Sequence, residues 1–81
     1  MSDKNTDHAV LDHIQRLVAE EDRILGQGAK SDSDHDRLKH LGVALDQAWD
    51  LLRQRRALRE YGRDPADAHV RPAEVVEKYL G

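Results

Sequence analysis

The sequence predicts an all-α fold: an antiparallel helical hairpin with a short third helix, in one domain spanning residues 1–81. Apolar residues recur at three- and four-residue spacing over two long segments, as they do along the buried face of a helix. A polar stretch containing Gly26 and Gly28 separates these segments, as expected for a hairpin loop. Phe is absent, and the aromatic residues are Trp49, Tyr61 and Tyr79, so aliphatic side chains must supply most of the core.

The first helix is predicted over residues 7–25. Asn5, Thr6 and Asp7 each carry a side-chain oxygen that suits an N-cap, and Gly26 favours the end of the helix. Residues 1–6 are expected to be disordered. The buried face is expected to comprise Val10, Leu11, Ile14, Leu17, Val18, Ile24 and Leu25.

The second helix is predicted over residues 34–61, with Ser33 or Asp32 as its cap. Gly42 lies in its interior, where glycine indicates either a close approach of another helix or plain tolerance. Trp49 flanks the seam, and its large apolar ring favours a place in the core, with an exposed anchor for a partner as the alternative. A coiled-coil-like seam against the first helix is expected from Leu38, Leu41, Leu45, Ala48 and Leu52.

The carboxy-terminal segment is predicted to form a capped turn at Asp64 and Pro65 and then a helix over residues 72–80. Pro72 suits the first helical position because its fixed backbone angle is compatible with a helix start. We expect one face of this helix to dock on Leu51, Leu58 and Tyr61. That face comprises Val75, Val76, Tyr79 and Leu80.

Metal sites are not predicted. Asp32, Asp34 and Asp36 have the spacing that opens a calcium loop, but Arg37 and Val43 occupy the positions that need Gly and a bidentate Glu. The histidines also lack the spacing of three or four residues that would align two zinc ligands on one helix face. These histidines are His8, His13, His35, His40 and His69.

Enzyme activity is not predicted either, because no nucleophile constellation or phosphate-binding glycine loop is present. We therefore expect no catalytic residues, no cofactor and no small-molecule substrate. The chain contains no cysteine, which favours a reducing cytoplasm. Its longest apolar run is Val43-Ala44-Leu45, so no membrane-spanning segment is expected.

A dense basic segment gives the chain its best candidate for a binding surface. The amino-terminal part of the chain is acidic, whereas residues 51–81 carry a positive balance. Exposed arginines beside a tryptophan are typical of protein-binding hot spots, although solvation and intrahelical pairing also account for such arginines. The expected partner-binding residues are Trp49, Arg53, Arg55, Arg56, Arg59 and Arg63.

The carboxy-terminal half resembles a family of short actinobacterial proteins classed as a domain of unknown function. The resemblance rests on residues 46–60 (DQAWDLLRQRRALRE), residues 62–65 (GRDP) and residues 71–77 (RPAEVVE). It implies a cytoplasmic bacterial protein of similar length. It implies no activity, and therefore no catalytic or binding residue.

Two hypotheses for function follow from the sequence. In the first, the protein is a non-catalytic interaction module that self-associates or binds a protein partner through the second helix and the carboxy-terminal segment. In the second, it binds nucleic acid or the ribosome through the basic segment from Arg53 to Arg63. Because solvated arginines contribute little to stability, the pair Arg55→Glu with Arg59→Glu is expected to leave the fold intact.

Overall fold

The computed structural model describes residues 6–80, and the side chains of residues 6–76. This part of the chain is helical and contains no strand. The two long helices pack together as a hairpin, and the short last helix contacts the second of them. The elements are α1 (Asp7–Gly26), α2 (Asp32–Glu60), a single 3₁₀ turn (Pro65–Asp67) and α3 (Ala73–Leu80).

The predicted all-α hairpin and its third helix are confirmed, with each boundary within two residues of its predicted position. Thr6 caps α1, because its hydroxyl oxygen accepts a hydrogen bond of 3.1 Å from the amide of Ala9. Thr6 is one of the three residues predicted to suit this cap, whereas disorder at the start of the chain stays a prediction. Residues 1–5 lie outside the described residues.

The cap of α2 lies earlier than predicted. Ser31, rather than Asp32 or Ser33, accepts the amide hydrogen bond of Asp34 through its Oγ, at 3.0 Å. Asp32 and Asp34 consequently fall in the first turn, where their negative charge stabilises the positive end of the helix dipole. The preceding loop turns at Gly28, whose φ of 94° favours glycine.

The core lies between α1 and α2. Leu41, Ala48 and Leu52 are buried on α2, and Leu38 and Leu45 are half-buried, so the predicted positions face inward, while coiled-coil packing between them stays a prediction. The predicted face of α1 is only partly correct. Val10, Ile14 and Ile24 are buried and Leu17 is half-buried, but Leu11, Val18 and Leu25 are exposed.

The carboxy-terminal segment folds back onto α2, as predicted. Val76 is fully buried, whereas Val75 is 43% exposed, so only one of these two valines belongs to the docked face. Tyr61 is exposed as well and does not form part of the docking site. The predicted contributions of Tyr79 and Leu80 concern side chains outside the described residues.

Candidate interaction surface

Two of the three faces of α2 are occupied by the protein itself. The first face packs on α1 through Leu41, Ala48 and Leu52. The second holds the carboxy-terminal segment by hydrogen bonds from the side-chain amides. Gln47 donates to the carbonyl oxygen of Arg71 at 3.1 Å, and Gln54 donates to that of His69 at 2.9 Å.

A buried carboxylate holds the carboxy-terminal segment to this second face. The side chain of Asp50 is 1% exposed and accepts two hydrogen bonds from the guanidinium group of Arg71, one of them at 2.8 Å from Nε. Gln54 donates a further hydrogen bond to the same carboxylate at 2.9 Å. Because all these donors are present, the buried charge is stabilised rather than left unpaired.

The described residues leave the third face of α2 uncovered. Gly42, Asp46, Trp49 and Arg53 follow one another at spacings of four, three and four residues, so they lie in one row along the helix. Trp49 is 45% exposed, and the prediction that it lies in the core is wrong. The row lies beside the seam rather than on it, so α1 covers only part of the indole.

The neighbouring edge of α1 is apolar and exposed. Leu11, Val18 and Leu25 are seven residues apart and therefore form a single stripe. Glu20 lies on the opposite side of α1 from Leu11 and pairs with Arg37 of α2 at 2.6 Å. Because this ion pair closes the other edge of the hairpin, the stripe lies on the same side as Trp49. We call the combined surface the open face.

Arg55 does not belong to the exposed basic segment that the sequence predicts. It is 6% exposed, and its Nε donates to Oδ1 of Asp7 at 2.6 Å. Its Nη1 also donates to the carbonyl oxygen of Pro65 at 3.2 Å. A single arginine thus joins the start of α1, the end of α2 and the following turn. The expectation that Arg55 is solvated is wrong because Asp7 lies opposite it.

The other arginines of the segment differ in their surroundings. Arg59 donates from Nη2 to Oδ2 of Asp7 at 2.8 Å while remaining half-exposed. Arg53 lies 4.0 Å from the carboxylate of Asp50 and projects from the open face. Within residues 6–76, Arg56 and Arg63 are exposed, and their side chains form no hydrogen bond or ion pair.

The two paired aspartates titrate below their usual range. Hydrogen bonds from Arg55, and then from Arg59, hold the pKa of Asp7 below its ordinary value of 3.8. The hydrogen bond from Arg71 is the main cause that lowers the pKa of Asp50, against the opposing effect of burial. Sequence reasoning missed both links, because Asp7 and Arg55, or Asp50 and Arg71, have no common local motif.

Acid is expected to weaken the fold through these carboxylates. The folded-state pKa of Asp50 lies below 3.8. The contribution of the ionised Asp50 to the stability of the fold is therefore fully present above about pH 3.8, and it is lost as the pH falls through the folded-state pKa. We expect Asp50→Asn to reduce the loss of stability below about pH 4, as measured by urea unfolding at several pH values. Asp36→Asn, which removes a carboxylate from an exposed position of the same helix, serves as the control. An equal pH dependence for Asp50→Asn and wild type would contradict this assignment.

Over residues 6–81 the chain matches the family described as protein of unknown function (DUF2630). The chain belongs to the DUF2630 family. Relatives in Mycobacterium bovis and Mycobacterium tuberculosis, each described as an uncharacterized protein, are 49% identical over 82 residues, covering 96% of this chain and 94% of theirs. No solved structure matches the chain. The resemblance to a small actinobacterial family of unknown function is thereby confirmed.

The described part of the DUF2630 chain contains no cluster of three His, Asp or Glu side chains that could hold a metal ion. In that same range no helix is long and apolar enough to cross a membrane. A broad cleft of about 630 Å³ opens between the end of α2 and the following loop, with Leu58, Arg63 and His69 among its lining residues.

Proposed function

We propose that this DUF2630 protein is a non-catalytic interaction module that binds a protein partner through its open face. The observation that carries the proposal is the half-exposed Trp49, set in a row with Arg53 on the one side of α2 that the described chain leaves uncovered. Tryptophan and arginine are the residues on which binding energy concentrates in protein interfaces. The absence of cysteine supports a reducing, cytoplasmic setting for this binding.

The proposed surface comprises α2 and the edge of α1, not α2 and the carboxy-terminal segment. Asp50, Gln47 and Gln54 already bind that segment to a different face of α2. Leu11, Val18 and Leu25 instead extend the apolar surface beside Trp49. An apolar centre with charged residues at its rim is the usual anatomy of a protein interface.

Binding of nucleic acid has less support. Arg55 and Arg59 are bound to Asp7, so only Arg53, Arg56 and Arg63 of the predicted basic segment face solvent without such a partner on another described helix. Contacts to phosphates would make binding weaken steeply as salt increases. We expect no shift of RNA or duplex DNA on a native gel at low salt. A salt-sensitive shift that Arg56→Glu abolishes would favour this alternative instead.

Crosslinking in cells tests the proposed function. A photoreactive amino acid at position 53, on the open face, is expected to yield adducts with protein after illumination. The same amino acid at position 63, which lies beyond the end of α2, is the matched control. Mass spectrometry of the adducts identifies the partner, whether it is another protein or a second copy. Equal yields at the two positions, or none at position 53, would contradict the proposal.

A further inference from the structure

We infer that the occupant of the open face is a second copy of this chain, with α1 of each copy lying along α2 of the other. The inference rests on the proposed function and names its partner. The product is a two-fold symmetric bundle of four helices, an arrangement that hairpins with one uncovered apolar side form readily. Shape, register and charge each support this arrangement.

The shape of the open face suits a helix. Leu11 and Val18 form a ridge along α1, and Trp49 forms a second ridge on α2. Between them lies Gly42, where no heavy atom would come within 4 Å of an added Cβ. Glycine destabilises the interior of a helix, and no described residue of the hairpin fills the space beside Gly42. A helix of a second copy can use that space by packing close to the backbone of α2.

The register of the hairpin aligns the two copies. The ion pairs Asp7–Arg55 and Glu20–Arg37 set which residues of α1 and α2 lie at the same level along the bundle. In that register Leu11 lies level with Trp49, and Val18 lies level with Gly42. A two-fold axis parallel to the helices preserves these levels. Leu11 of one copy therefore lies level with Trp49 of the second copy.

Charge complementarity favours packing α1 of one copy on α2 of the other over packing α1 on α1. Along the outer edge of the open face, α1 presents Asp22, whereas α2 presents Lys39. Laying α1 of one copy along α2 of the other brings Asp22 near the level of Lys39. Laying α1 on α1 would instead bring Asp22 of one copy level with Asp22 of the other, which is unfavourable.

The remaining positions on the outer edge match as well. Gln15 of one copy comes level with Asp46 of the other, so an amide donor meets a carboxylate acceptor. Val18 comes level with Gly42, so its side chain meets the space that the glycine leaves. Two helices about 30 Å long and 10 Å apart present roughly 600 Å² per copy, close to the roughly 800 Å² per partner of a standard interface.

Sedimentation equilibrium tests the interface. The full-length protein is expected to be a dimer at micromolar concentration, and Trp49→Glu is expected to weaken dimerisation roughly thirtyfold or more while retaining its helicity. Tyr61→Glu is the control, since it places the same charge at an exposed aromatic residue away from the open face. Wild type that stays monomeric throughout, or dimers that Trp49→Glu leaves unchanged, would overturn the inference.

Disulfide formation tests the orientation, because the natural chain contains no cysteine. A mixture of the single variants Val18→Cys and Gly42→Cys is expected to give a disulfide-linked heterodimer under mild oxidation. Either variant alone should give much less linked product, because identical positions lie diagonally across the bundle. Linkage of Val18→Cys to itself in preference would overturn the arrangement. A monomeric purified chain whose position 53 crosslinks to a different protein in cells would overturn this inference but leave the proposed function standing.

Discussion

Replacing Leu52 with Ala is expected to lower the free energy of unfolding by about 2–5 kcal/mol. Leu52 is 2% exposed and packs with Val10, Ile14 and Ala48 in the hairpin core. The substitution removes buried methyl groups and leaves a cavity between α1 and α2. Urea unfolding followed by circular dichroism, at one protein concentration, measures the loss. In a chain of this size such a loss is a large part of the total stability.

The matched control for this substitution is Leu25→Ala. Leu25 is 54% exposed on α1 and lies outside the core cluster, so its truncation should change the free energy of unfolding by less than about 1 kcal/mol. The two variants remove the same atoms from a helix. Comparable losses of unfolding free energy for the two variants would show that Leu52 is not part of the core.

Replacing Arg55 with Glu is expected to destabilise the protein by about 3–5 kcal/mol. The substitution puts a carboxylate opposite Asp7 at a buried position and removes the donor to the carbonyl oxygen of Pro65. Arg56→Glu is the control, because it makes the same charge reversal one residue further along α2 at an exposed position. We expect Arg56→Glu to change stability by about 1 kcal/mol or less.

The partner of Arg55 can be checked in a second background. If repulsion by Asp7 contributes to the defect, Arg55→Glu should cost less in an Asp7→Ala protein than in wild type. If Arg55→Glu destabilises both proteins equally, the defect arises from burial of the new carboxylate alone. Equal stability of the Arg55→Glu and Arg56→Glu proteins would instead support the sequence-based expectation that Arg55 is solvated.

Most of the fold follows from local features of the chain. The spacing of Leu41, Ala48 and Leu52 predicts the buried side of α2, and Gly26 and Gly28 predict the end of α1 and the loop. Capping and periodicity depend on residues a few positions apart, so one sequence contains the information needed to locate them. The cap at Ser31 is not predictable in the same way, because several adjacent side chains can cap equally well.

The open face is only partly predictable. The sequence indicates Trp49 as a binding residue, but its helical position alone does not decide between the core and the surface. The decision depends on which sides of α2 are covered. Asp50 and Arg71 place the carboxy-terminal segment on one side, and α1 occupies another, so the described residues leave the third side open.

The sequence by itself therefore determined the helices, their order and the seam between them, because these depend on short-range spacing and apolar burial. Only the tertiary structure decided which charged residues are structural. Arg55 and Arg56 are adjacent and chemically identical, yet Asp7 lies opposite Arg55 and no described residue pairs with Arg56. The difference arises from Asp7, which is distant from both arginines along the chain and comes close to Arg55 only when α1 packs on α2.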